Sequence, residues 1–444
     1  MPLLRPSPPP TAVEPRGVRW LAAVSLSALV LSVGTTLAGP SPADAAGACT
    51  PVPQPAIPED LPYRTDFGTP QHLDCTTSNG GPIEFGDLAE PPATSRAVDT
   101  GVDVIAHWYQ GFGLEATLTS GKWSGWYDWS WNAASNAATP GSRYGYDPAR
   151  QPLLGNYRGD DPRVLGWIAH WLATGGVRAV AFTDTAGFTT DVWDRSSSSW
   201  VVEYFDNTPN AAALDYVLPI GTKGDAAEIR RRAAQLVEFY AARPGAYVER
   251  RTDGQRYAVV NAWDLEMLRG SFDNYNGSKR TEAFLVGLAS WFRSTGKFDG
   301  VTVLGRNGGV LASSAASRLR DQHVNVHFAT YEGKYASSAT DYASYVASTD
   351  YDAIASRRNT VLGVFTSLDT AYPHPSKYAL TGSTPDLFAR QVRAAREAIV
   401  RNDLPRMLTV YNVSEWAEGG PGLVPNAQDG FGYLEAIRNQ SPLP

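Results

Sequence analysis

The chain has 444 residues, 43% hydrophobic and 19% charged, which is enough apolar material for one large core or two modest ones and too much for a disordered chain. A formal net charge of -7 with no long basic run argues against nucleic acid or an anionic membrane surface as the main partner. The 13 Trp and 21 Tyr suit a surface that stacks on flat or ring-shaped ligands, although large cores use them too.

At the N-terminus, Arg16 and Arg19 precede an apolar run from Trp20 to Val33, which passes into small residues ending Ala43-Asp44-Ala45-Ala46. That order reads as a secretory signal peptide over residues 1–46, so the protein is expected to be secreted, and no segment reads as a stable membrane span. Cys49 and Cys75 are the only cysteines, and in an exported chain they most simply form one disulfide. Residues 47–98 are rich in Pro, Gly and Thr, and read as an N-terminal extension.

From residue 99 to 444 short apolar runs alternate with amphipathic stretches, the pattern of parallel strands joined by helices. The strands expected are 102–108, 177–183, 257–262, 300–304, 324–329, 351–355, 360–365 and 407–411. Helical periodicity covers 161–173, 225–242, 281–294, 310–320, 340–347, 386–401 and 431–438. Asp225 and the Ser383-Thr384-Pro385 stretch carry helix-start signals. Eight strands over one uninterrupted stretch fit an α/β fold, a (β/α)8 TIM barrel with long βα loops. One crossover is missing, because only residues 356–359 separate the sixth strand from the seventh. An open doubly wound sheet is the alternative, but Gly305-Arg-Asn-Gly308-Gly309 has neither a P-loop's Lys-Ser/Thr nor a dinucleotide fingerprint's spacing.

Chemistry in such a barrel gathers at the C-terminal ends of the strands. Those positions hold His107, Trp108 and Tyr109, then Asp184, Asp264, Glu266, Glu332 and Asp369, and finally Glu415 and Glu418. The loop after the first strand packs Trp123, Trp126, Tyr127, Trp129 and Trp131 among Asp, Asn and Ser, a composition for stacking on sugar faces or for capping the barrel core. Six histidines, at 72, 107, 170, 323, 327 and 374, show no metal-ligand spacing, so no metal or other cofactor is expected. No Gly-x-Ser-x-Gly elbow supports a Ser-His-Asp hydrolase. Glu415 and Glu418, three residues apart around Trp416, share a cavity only if the chain turns, and Gly419-Gly420-Pro421-Gly422 favours a turn. Two carboxylates brought close divide acid and base roles; left apart they are solvated loop residues.

Three stretches carry a family resemblance: Pro152-Leu-Leu-Gly-Asn-Tyr157 with Asp161-Pro162, Ser383-Thr-Pro-Asp-Leu-Phe388, and Glu415-Trp-Ala-Glu418-Gly followed by Gly430-Phe-Gly-Tyr-Leu-Glu-Ala-Ile437. With them the chain resembles the glycoside hydrolase family 99-like group of endo-α-mannosidases and WbsX-like proteins. The resemblance implies a metal-free retaining glycosidase acting on an α-linked polysaccharide or oligosaccharide. Glu415 would be the base on the sugar's own 2-hydroxyl and Glu418 the acid/base at the glycosidic oxygen. The aromatic and polar strand-end residues His107, Trp108, Tyr109, Trp126, Tyr127, Trp129, Tyr157, Asp184, Asp264, Glu332 and Trp416 would bind substrate. Ser414 stands where the group has Asn and Val424 where it has Glu, so an α-mannoside is not implied. A non-catalytic carbohydrate-binding protein and a glycosyltransferase-like relative are the alternatives.

Overall fold

A computed structural model describes residues 67, 90–108, 152–154, 162–182, 205–221, 224–251, 253–262, 265–305, 318–329, 341–356, 360–366, 380–414 and 422–440. In chain order the regular elements are β1 (Asp103–Trp108), α1 (Pro162–Thr174), β2 (Val177–Phe182), β3 (Asp215–Pro219), α2 (Ala226–Ala242), β4 (Val248–Arg250), β5 (Arg256–Ala262), α3 (Leu265–Asp273), α4 (Lys279–Ser294), β6 (Gly300–Gly305), β7 (Val324–Ala329), α5 (Tyr342–Ser348), α6 (Tyr351–Ala355), β8 (Thr360–Phe365), α7 (Pro385–Arg401), β9 (Met407–Tyr411) and α8 (Gly432–Arg438).

The sheet runs β3-β2-β1-β9-β8-β7-β6-β5-β4, and β3 also pairs with β5 through Leu218 with Val260 and Pro219 with Asn261. That second pairing closes the sheet on itself. Eight strands are parallel to their neighbours around the ring, and only β4 runs antiparallel, against β5. The fold is therefore a closed (β/α)8 barrel, and the open doubly wound alternative is excluded by the β3–β5 contact. At the other end of that seam the two strands are held apart: Tyr216 donates its N–H to Gly245 O at 2.8 Å and accepts from Tyr247 N at 2.9 Å, so the residues leading into β4 fill the gap.

Strand alternation divides the core in two. Ile105, Ala179, Val217, Val259, Leu304, Val361 and Met407 meet inside the barrel, while Val104, Ala106, Val180, Val260, Val303, Leu362, Val364 and Val410 face the helices. The N-terminal end is closed by paired polar groups. Tyr247 donates to Asp103 Oδ2 at 2.6 Å, Thr302 donates to Glu249, and Asn325 Nδ2 donates to Thr302 Oγ1 at 3.4 Å.

The helix starts follow their sequence signals. Asp225 accepts from Ala227 N and Glu228 N, both at 2.9 Å, and Thr384 accepts from Leu387 N at 3.3 Å with Pro385 in the first turn of α7. Three expectations are corrected. Residues 351–355 form helix α6 instead of a strand: Asp350 caps it by accepting from Ala353 N at 2.9 Å, and Tyr351 and Ala355, four apart, supply its buried face. Conversely Asp215–Pro219 is the third barrel strand, where only loop was expected, and α3 also arises where no helix was expected. The α6 helix supplies the missing crossover before β8. Of the N-terminal extension, Phe67 is fully buried, with its ring stacked 4.8 Å from Phe431 and its carbonyl accepting from Trp171 Nε1 at 2.9 Å. Cys49, Cys75 and residues 1–46 lie outside the described residues. No helix among the described residues is long and apolar enough to cross a membrane.

Candidate active site

The C-terminal rim of the barrel is built where β1 and β9 lie side by side, His107 in register with Tyr411. Both side chains turn into the barrel, their rings 6.3 Å apart. Beyond β9 the chain stays on that rim: Val413 donates its N–H to His107 O at 2.7 Å, and Thr366, just past β8, donates to Tyr411 O at 2.9 Å. The Tyr411–Asn412 peptide is cis.

The segment 412–414 is then joined by 422–424. Leu423 N donates to Asn412 O and Val424 N to Val413 O, each at 3.1 Å. Residue 422 has to be glycine here, because a Cβ at that position would lie 2.2 Å from Val413 O. Chain therefore leaves the described structure at Ser414 and returns at Gly422 from the same patch of rim. The segment between, 415–421, carries Glu415, Trp416 and Glu418 and lies outside the described residues.

Behind this loop base the three sequence signatures come together. Leu153 donates its N–H to Pro425 O at 2.9 Å, tying the Pro152-Leu-Leu segment to the return strand. Ser383 Oγ lies 2.8 Å from Tyr433 Oη and also donates to Thr366 O. Phe388 packs 5.4 Å from the Tyr433 ring, and a Cβ at Gly432 would lie 2.5 Å from Pro385 Cγ, so α7 and α8 meet closely at their starts. One layer deeper, Gln391 of α7 accepts at Oε1 from Phe365 N at 3.2 Å and from Tyr342 Oη at 3.1 Å, and the same hydroxyl lies 2.6 Å from Phe365 O. Phe365, Tyr411, Tyr342, Tyr345 and Leu380 form the apolar wall beside this network.

His107 is 1% exposed, and burial pushes its pKa down to about 4, so at neutral pH it is an uncharged imidazole under the rim. Trp108, the next residue, points the other way: it packs 5.7 Å from Phe182 and 6.1 Å from Phe205 in the layer between strands and helices. Expected as a sugar-binding residue, it is placed among core residues by the alternation of the strand. Tyr109, Trp126, Tyr127, Trp129, Tyr157, Asp184, Asp264, Glu332 and the segment around Glu415 lie outside the described residues. Glu266 sits on α3 and pairs with Arg269. Val424 is 1% exposed and part of the main core, so the position where the family-like pattern has Glu is here an apolar packing position.

Asn261 was not expected at the site, yet it stands next to last in β5 with its side chain inside the barrel and 2% exposed. Its signal is visible in Tyr257-Ala-Val-Val-Asn-Ala262, where it is the one polar residue at an inward position of an apolar run. Among the described residues no group of three or more His, Cys, Asp or Glu could hold a metal ion.

The chain matches no family model and no curated protein sequence. It is similar in structure to a glycoside hydrolase-like protein, at 13% identity over 80% of this chain and 98% of that one, with a TM-score of 0.48. It is also similar to the GH99 endo-alpha-mannosidase from Bacteroides thetaiotaomicron, at 15% identity over 76% and 96% of the two chains, with a TM-score of 0.46. A GH128 endo-beta-1,3-glucanase from Amycolatopsis mediterranei, solved in complex with laminarihexaose, covers 62% of this chain and 94% of its own at 14% identity and a TM-score of 0.35. At TM-scores below 0.5 these likenesses carry no argument about activity, and the barrel stands on its own strand register.

Proposed function

We propose that the chain is a secreted retaining glycoside hydrolase of α-linked glycans, with Glu415 and Glu418 as its working carboxylates. One observation supports the reading: the residues that flank Glu-Trp-Ala-Glu in sequence, 412–414 and 422–424, are bonded to each other and to His107 O at the C-terminal rim, the end of a (β/α)8 barrel where chemistry gathers. The sequence resemblance supplies the division of labour: Glu415 takes the proton of the sugar's 2-hydroxyl as O2 bonds to C1 and the leaving oxygen departs with a proton from Glu418; Glu418 then deprotonates the water that attacks C1, the C1–O2 bond breaks, and Glu415 returns its proton to O2. Such a pair needs one ionised and one protonated member, and mutual repulsion of two close carboxylates favours that state. His107, neutral under the rim at neutral pH, contributes no positive charge there. The apolar run Trp20 to Val33 with its small-residue ending supports export.

The test is a screen of the purified mature chain, alongside Glu415→Gln and Glu418→Gln, against α-linked bacterial, fungal and plant glycans. Cleavage by the parent chain and its loss by 10²-fold or more in each variant, as expected for removal of an acid or base, supports the reading. Undiminished cleavage in both variants overturns it. Binding without any release of reducing ends favours the non-catalytic alternative.

A further inference from the structure

Among the described residues, nothing completes the hydrogen bonding of the Asn261 side chain. Val259, two residues earlier, belongs to the cluster inside the barrel, and Val260 and Ala262 pack outward, so the Asn261 side chain faces the interior near the C-terminal end of β5. It is 2% exposed, and among the described residues its Nδ2 has no hydrogen-bond partner. Its neighbours in register offer none: Pro219 on β3 and Leu304 on β6 have no polar side-chain atom. The asparagine inside the opposite end of the barrel, Asn325, is paired with Thr302 at 3.4 Å. Among the described residues the amide of Asn325 is thus met where the barrel is closed, and that of Asn261 is unmet toward the end where ligands enter.

A buried donor without a partner lowers stability, and an apolar residue of the same shape would avoid that loss. Its retention at a strand end is accounted for by a ligand that supplies the acceptor. Resting on the glycosidase reading above, we propose that Asn261 is a substrate-binding residue whose Nδ2 donates to a hydroxyl oxygen of the sugar seated in the barrel mouth. Neutral sugars present such acceptors around the ring. A site built to bond one hydroxyl discriminates strongly against sugars that lack it or point it elsewhere. Asn261 therefore acts on which sugar is accepted, separately from the carboxylates that break the bond.

The experiment compares the mature parent chain with Asn261→Leu, close in size and apolar, and Asn261→Ser, which keeps a smaller donor. Thermal unfolding is followed with and without each glycan of the α-linked panel, and kcat and KM are measured on whichever glycan is cleaved. Asn261→Leu is expected to unfold at the parent's temperature or above. Its KM rises roughly tenfold or more, its glycan-induced rise in unfolding temperature is lost, and Asn261→Ser recovers part of both. Unfolding of Asn261→Leu several degrees below the parent shows that the amide has a structural partner and overturns the proposal, as does a parent-like KM and glycan-induced shift. A parent chain that glycans stabilise but that cleaves none defeats the hydrolase reading alone, because the shift in Asn261→Leu still decides the role of Asn261. A parent chain that no glycan stabilises overturns both.

Discussion

Replacing Gly422 with alanine tests whether the pairing of 412–414 with 422–424 holds the Glu-Trp-Ala-Glu segment in place. The new Cβ would lie 2.2 Å from Val413 O and 2.8 Å from Val413 C, against an ordinary contact of 3.4–4 Å. Both obstacles are backbone, so no side-chain rotation relieves them, and the two segments have to part by about 1 Å or more. That movement stretches the bonds from Leu423 N to Asn412 O and from Val424 N to Val413 O, both 3.1 Å now, past useful hydrogen-bond length. Two lost backbone bonds at about 0.5–1.5 kcal/mol each, with an overpacking cost of about 1–3 kcal/mol, put the loss near 2 to 6 kcal/mol. If Glu415 and Glu418 act as proposed, a misplacement of about 1 Å in the residues that flank them also lowers turnover by up to roughly 10²-fold. Guanidinium unfolding and turnover on the cleaved glycan measure the two effects. A Gly422→Ala chain within about 0.5 kcal/mol of the parent and equally active would refute the rim pairing as the anchor of the site.

Three further outcomes follow from buried groups near the rim. His107 has an ordinary value of 6.5 and about 4 in the folded chain, so between those values the unfolded chain takes up a proton that the folded one refuses. Stability is therefore lost as pH falls from about 6.5 to about 4, by about 3 kcal/mol at the lower end, and denaturant titrations of a His107→Gln chain should show a correspondingly flatter decline. Val424→Glu, which restores the family-like residue, places a carboxylate at a core position that is 1% exposed; it should cost several kcal/mol in denaturant unfolding and add no activity. Gln391→Ala removes the acceptor of Phe365 N and Tyr342 Oη, and should lower stability by about 2–4 kcal/mol.

The barrel was legible in the sequence because its strands are nearly continuous β-branched runs bounded by capped helices, and α2 and α7 begin at the residues whose side chains cap them. Its strand count survived two opposite errors. Tyr351–Ala355 has the length of a strand, but the Asp350 cap and the four-residue spacing of its buried positions make it a helix. Asp215–Pro219 is short and ends in proline, which hid the strand; its bond to β5 there is donated by the next residue, Ile220, to Asn261 O at 2.7 Å, so the missing proline N–H does not interrupt it. At the site, residue type marked His107 and Trp108 equally, and only the alternation of β1 separates the one inside the barrel from the one in the outer core. Asn261 and Gln391 carry no motif at all. Their importance comes from what surrounds them, which requires the closed sheet and the seat of α7 to be known.

Retaining cleavage of an α-linked glycan by Glu415 and Glu418 is decided by proton NMR of the first-formed reducing end, recorded before mutarotation. The α-anomer is the expected initial product of the parent chain. Initial release of the β-anomer, which is inversion, would contradict it.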